Sequence, residues 1–141
     1  MTGFALGGGV GPYGGIHGAL SDSILSLEMV TGGGDILTVS ATSHPDLFWG
    51  MKGAGFNYGI VTSVKYKVYP LTNGGIVTVV NTRFPASMNG SIWAAARSFV
   101  GRLPKELTLD FSATWNETLG QTAIICSFCE CSSKHLDALN R

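Results

Sequence analysis

Charge is scarce in this 141-residue chain. Only 13% of its residues are charged, nine basic side chains balance nine acidic ones, and no run of one sign occurs. A neutral chain without a basic stripe has no electrostatic footprint for nucleic acid or an anionic membrane surface, so the expected partners are small molecules. Long apolar runs are missing too: no stretch approaches the ~20 residues needed to span a bilayer. Met1-Thr2-Gly3 opens neither the charged region nor the apolar core of a signal peptide, and compartment is not encoded in these residues. Cysteine is limited to Cys126, Cys129 and Cys131, an odd count crowded into one segment, which argues against a secreted disulfide scaffold. The sequons at Asn89 and Asn116 carry meaning only in a secretory context.

What is abundant is glycine and apolar side chain. Twenty glycines and a 45% hydrophobic share describe a chain that packs a core and lets its backbone approach something closely. Two β-rich runs, Ile24 to Val30 and Ile36 to Ser40, flank Thr31-Gly32-Gly33-Gly34-Asp35 and predict a hairpin. Asp46 is the expected N-cap of a short helix ending at Gly53. A second glycine loop, Gly53 to Gly59, feeds a strand in which Val64, Tyr66 and Val68 alternate with Ser63, Lys65 and Lys67 before Pro70. The turn-rich Pro70 to Gly75 stretch changes the rhythm and places a domain boundary near Thr72, giving domains 1–72 and 73–141. Beyond it, "GIVTVV" predicts a strand, and Ile92, Ala95, Ala96, Phe99 and Val100 predict a helix capped by Gly101. Leu107 to Trp115 alternates as a strand that Asn116 to Gly120 turns back into "TAIICSFC", while Ser133 opens a further helix bearing Leu136 and Leu139. The class is α+β, with a β-α-β-β opening to the second domain.

Gly9, Gly11 and Gly14 spell G-x-G-x-x-G, yet no strand precedes them. Gly14, Gly15 and Gly18 follow at a cost of roughly 1 kcal/mol per helical glycine, so a Rossmann turn is not expected. What remains is a non-helical loop rich in N–H groups: either a cradle for a pyrophosphate or a surface loop with tight turns. Strand alternation puts Cys126 on the face opposite Cys129 and Cys131, so the cysteines and His135 are not expected to converge on a metal. His17 is read as a loop residue facing a cofactor or solvent, and His44 as part of a turn. No G-x-S-x-G elbow offers a nucleophile. Phe48 and Trp49, an apolar pair on a short helix, are expected in the core.

A longer pattern resolves the glycine loop. Gly7-Gly8-Gly9 with Gly11, then Gly18 and Asp22 before a β-rich run, then Pro45-Asp46-Leu47-Phe48-Trp49, then Gly53-Ala54-Gly55-Phe56-Asn57-Tyr58-Gly59-Ile60-Val61-Thr62 occur in order over about half of the chain. This segment resembles the second half of the PCMH-type FAD-binding domain of the vanillyl-alcohol-oxidase superfamily, in its berberine-bridge-enzyme-like branch. The chain from about Gly75 resembles the start of that family's substrate domain, an antiparallel sheet that covers the flavin, and "GRLPKELTLDFSATW" is similar to fungal members.

The resemblance implies an FAD-dependent oxidoreductase that oxidises an alcohol or amine carbon by hydride transfer to flavin, with a role in fungal secondary metabolism. It implies that Gly7, Gly8, Gly9 and Gly11 bring backbone against the flavin or its pyrophosphate, and that Ile60 and Val61 offer main-chain groups near the adenine. Asp22 matches the family's aspartate after the glycine loop, as a cofactor contact or as a brace for that loop. The family's covalent flavin attachments, first pyrophosphate loop and catalytic base have no counterparts in these residues, so a form truncated at both ends is expected, with no catalytic residue assigned. The alternative is an inactive relative that binds a partner or is vestigial, with self-association or docking to a missing half.

Overall fold

The computed structural model describes residues 1–117 and 120–132. Two compact units divide the chain, Met1–Pro70 and a second from Leu71 onward. In the first, strands β1 (Ile24–Val30), β2 (Ile36–Ser40) and β3 (Ile60–Tyr66) form an antiparallel sheet in the order β2-β1-β3. The β1–β2 turn is closed by Thr31, whose Oγ1 accepts the N–H groups of Gly33 at 3.3 Å and Asp35 at 3.2 Å. A register shift between Ile24 and Ser26 in the β1–β3 ladder lets Ile24 and Leu27 both turn to the core although they stand three positions apart. Helices α1 (Thr2–Leu6) and α3 (Pro45–Ala54) cover that face. Ala5, Leu6, Phe48 and Met51 meet Ile24, Leu27, Met29 and Val39 in one buried cluster, each large side chain contributing about 1.5–3 kcal/mol of transfer free energy.

Four local details differ from the sequence expectation. The strand expected to alternate through Val68 stops at Tyr66 and leaves Val68 84% exposed. Pro45, its φ already set for the first helical position, starts α3, so His44 in the left-handed region is the N-cap and Asp46 lies inside the first turn, near the positive end of the helix. Phe48 is buried, but Trp49 is 82% exposed, because the residue next along a helix points about 100° away from its neighbour. Within the glycine loop a four-residue helical turn, α2 (Gly14–His17), forms despite its glycines. Stacking of the His17 ring on Tyr69, with centroids 4.0 Å apart, supplies a tertiary contact that local propensity omits.

In the second unit, β4 (Thr78–Pro85), β5 (Leu107–Asn116) and β6 (Gln121–Glu130) form an antiparallel sheet in the order β4-β6-β5. Strand β4 starts at Thr78 rather than Gly75 because the preceding residues are spent on a 3-10 turn, with φ of 50° at Asn73 and 63° at Gly74. Helix α4 (Asn89–Ser98) lays Ile92 on Ile124 and Cys126, flanked by Phe84, Phe111 and Phe128. Alternation sends Asn81, Ser127 and Asp110, paired across the three strands, to the opposite face. The helix expected from Ser133 lies outside the described residues. Among the described residues no helix is long and apolar enough to cross a membrane.

Candidate functional site

The glycine loop is built from α1 outward. The Gly8 N–H donates to the Ala5 carbonyl at 3.1 Å, and φ values of 103° at Gly8 and 74° at Gly9 swing the chain away from the helix axis. The turned loop is then pinned: the Gly8 carbonyl accepts the Ser21 N–H at 3.0 Å and the Gly9 carbonyl accepts the Leu20 N–H at 2.8 Å. Its glycines differ in what they serve. A Cβ on Gly9 would sit 2.7 Å from the Leu20 Cβ, so packing inside the chain accounts for that glycine. Gly8 and Gly11 have no atom within 4 Å of where a Cβ would stand, and the space beside them is open. Gly7 lies next to the Phe56 ring, 3.6 Å from its hypothetical Cβ.

Three consecutive N–H groups, those of Gly9, Val10 and Gly11, donate to no acceptor among the described residues. Gly9 and Gly11 line a cavity of about 280 Å³ whose other walls include Tyr13, His17, Lys67 and Tyr69. That volume suits one portion of a dinucleotide. The walls carry no carboxylate. Lys67 Nζ rests 4.9 Å from the centroid of Tyr69, the ring that stacks on His17. Gly7 and Gly8 belong to the same loop but not to the cavity wall.

Asp22 is oriented otherwise. Its Oδ2 accepts the Ala19 N–H at 3.0 Å and would lie 2.8 Å from a Cβ on Gly18, which bends back at φ 79°. The carboxylate therefore ties down the segment leading into the 3-10 turn Leu20–Ser23. It borders a second depression of about 540 Å³ shared with Trp49, Lys52 and Tyr58. Ile60 and Val61 open β3, paired with Val30 and Met29, and border neither depression. Ile60 is 72% exposed.

Lys67 and Tyr69 were not singled out from sequence. They stand two apart at the end of a strand-like alternation, which places them on one face, but only the fold brings the glycine loop to that face. In the second unit Cys126 sits among Ile124 and Phe128, with Cys129 on the opposite face of β6. Burial lifts the Cys126 thiol above its ordinary range, and burial with the neighbouring Cys129 and Glu130 charges does the same at Cys131.

No family model matches the chain. It is 46% identical over 125 residues to FAD-linked oxidoreductase azaL of Aspergillus niger, covering 89% of this chain and 26% of that protein. FAD-linked oxidoreductase tazL of Aspergillus terreus is 43% identical over 123 residues, 87% of this chain and 25% of that protein. The chain thus spans about a quarter of the length of these curated relatives. Among solved structures it is similar to xylooligosaccharide oxidase from Myceliophthora thermophila in complex with xylobiose, with a TM-score of 0.74 and 29% identity over 98% of this chain and 28% of that one. BBE-like 1 of Physcomitrella patens gives a TM-score of 0.74 at 25% identity, over 94% of this chain and 28% of that one. By sequence the chain matches about a quarter of the length of fungal FAD-linked oxidoreductases, and by fold it matches a similar share of BBE-like, PCMH-type oxidases.

Proposed function

We propose that these residues form part of a flavin-dependent oxidoreductase acting on a small molecule, with 1–72 contributing to the FAD-binding domain and 73–141 to the substrate domain. The observation that carries this reading is the Gly7–Gly11 loop: unpartnered N–H groups beside an open, aromatic-walled cavity fit an anionic, planar cofactor. A backbone with no side chain at Gly8 and Gly11 admits a flat ring system at van der Waals distance. The Gly9, Val10 and Gly11 amides would donate hydrogen bonds to it, while Asp22 keeps the following segment in place. Ile60 and Val61 would offer main-chain groups near the adenine. When bound, FAD would supply the redox chemistry, accepting a hydride from a carbon bearing an alcohol or amine and passing electrons to oxygen. The fungal relatives make secondary metabolism the proposed setting, with a small-molecule substrate.

The test is a fluorescence titration of FAD with the purified chain and with Gly11→Ala. Saturable quenching by the wild type, weakened severalfold when a methyl enters the open side of the loop, is the expected result. No saturable change with the wild type, or equal affinity for both chains, would refute the cradle.

A further inference from the structure

The second unit carries a motif that the flavin reading leaves unused. Asn89-Gly90-Ser91 is a sequon, with a residue other than proline between the amide and the hydroxyl. The fold puts it at the surface: every residue from Pro85 to Ser91 is exposed, where the 3-10 turn Ala86–Met88 passes into α4. The Asn89 amide and the Ser91 hydroxyl make no hydrogen bond among the described residues. Gly90, between them, has no atom within 4 Å of where a Cβ would stand. An unengaged amide in open space can take a bulky, solvated substituent without breaking a contact. The other sequon is placed differently. Asn116 is half-buried at the end of β5, opposite Gln121, and is engaged within the fold.

Exposure alone only permits a glycan, but the surroundings of Asn89 also offer one a seat. Trp93 stands about one helical turn further on, with Cβ atoms about 6 Å apart, and long side chains on a helix lean back over the preceding turn, here towards Asn89. Its indole rests at a tilt against Phe111, ring centroids 5.5 Å apart, yet Trp93 stays 50% exposed. Asn89 and Trp93 border one hollow of about 190 Å³, walled further by Ala86, Ala113 and Ile124. A flat aromatic ring beside an apolar hollow matches the C–H face of a pyranose, whose hydroxyls stay in water.

We propose that Asn89 is the acceptor of an N-linked glycan and that the first N-acetylglucosamine packs on Trp93. In the transfer, Asn89 Nδ2 bonds to the anomeric carbon of a sugar carried on a lipid diphosphate. The carbon–oxygen bond to the diphosphate breaks, the diphosphate leaves with the electron pair, and the amide nitrogen gives up one proton. An oligosaccharyltransferase and its lipid-linked sugar, in the lumen of the secretory pathway, are the co-reactants. The chain supplies the amide and the seat, and neither depends on flavin binding.

The test uses the full chain, directed by a cleavable signal sequence into the secretory pathway of a eukaryotic host that adds high-mannose glycans. Peptide mass spectrometry is expected to find a glycan on Asn89, lost in Asn89→Gln and in Ser91→Ala and kept in Ser91→Thr. Asn89→Gln alters an exposed side chain without partners, so its circular dichroism should match that of the wild type. Trimming with endoglycosidase H leaves a single N-acetylglucosamine, and thermal unfolding then reads the seat. The trimmed wild type should melt about 4 °C above Asn89→Gln, as for one aromatic contact. In a Trp93→Leu background, which keeps an apolar side chain against Phe111, the trimmed chain and its Asn89→Gln counterpart should melt together. An Asn89 without glycan, or a glycan on Asn116 with Asn89 empty, would overturn the proposal. A sugar that shifts the melting of both backgrounds equally, or of neither, would overturn it too.

Discussion

Replacing Gly9 by alanine separates what the glycine loop does for folding from what it does for binding. The added Cβ meets the Leu20 Cβ at 2.7 Å, the Phe4 carbonyl oxygen at 3.3 Å and the Ala5 Cα at 3.4 Å. None of these is the far end of a flexible side chain, so the loop or Leu20 must move, and overpacking of this kind costs about 1–3 kcal/mol. The φ of 74° adds the left-handed penalty for a residue with a Cβ, about 1–2 kcal/mol. Together they predict a loss of roughly 3 kcal/mol, a large share of the ~5–15 kcal/mol that holds a small domain folded. Gly8→Ala, with φ 103° but no neighbour, should lose only the backbone part, about 1–2 kcal/mol. Gly11→Ala meets open space and has no positive φ, so it should stay within about 0.5 kcal/mol of wild type. Urea unfolding followed by circular dichroism, with amide exchange at Leu27 and Met29 to report on the first unit, measures the series. A Gly9→Ala chain as stable as wild type, or a Gly11→Ala chain destabilised as much as Gly9→Ala, would refute the reasoning. Flavin binding lost in Gly9→Ala would reflect loss of fold, which leaves Gly11→Ala as the informative probe of the cradle.

Thermal melts should show Phe48→Ala losing about 3 kcal/mol as a buried ring leaves a cavity, while Trp49→Ala, at 82% exposure, barely moves the midpoint; equal losses would mean that Trp49 packs. Asp22→Ala should speed amide exchange at Ala19 by removing its acceptor, and unchanged exchange would show that the brace is dispensable. Unfolded thiols ionise near the ordinary value of 9.0, whereas burial keeps Cys126 and Cys131 protonated to higher pH. Their contribution to stability is therefore full below about pH 9 and declines as pH rises past it, and maleimide should label half-buried Cys129 first. Labelling of Cys126 ahead of Cys129 in mass spectra would contradict that burial. Offered FAD and a panel of alcohols and amines, the 141-residue chain should release no hydrogen peroxide above a free-flavin control, since no residue is assigned to move the substrate's proton; sustained substrate-dependent peroxide lost in Gly11→Ala would show a working site.

Secondary structure was legible where periodicity is local. The β1–β2 hairpin around Thr31–Asp35 and the alternation of Leu107 to Trp115 depend on residues close in the chain and fold as read, whereas the helix carrying Ile92, Ala95 and Ala96 stops at Ser98, short of the expected cap at Gly101, and leaves Val100 78% exposed. The family was legible for a related reason: glycines at fixed spacing record where a backbone must turn or come close, and that record survives without coordinates. What each glycine serves was not legible, because Gly9 answers to Leu20 and Gly11 to open space, and neither relation is local in sequence. Trp49 escaped the core although Phe48 entered it, since helix phase against a sheet is set by how α3 docks. A helical turn formed at Gly14–His17 against its propensity because His17 found Tyr69, more than fifty positions away. Lys67 acquired its place beside the glycine loop in the same way: alternation selected its face, and tertiary packing selected what that face looks onto.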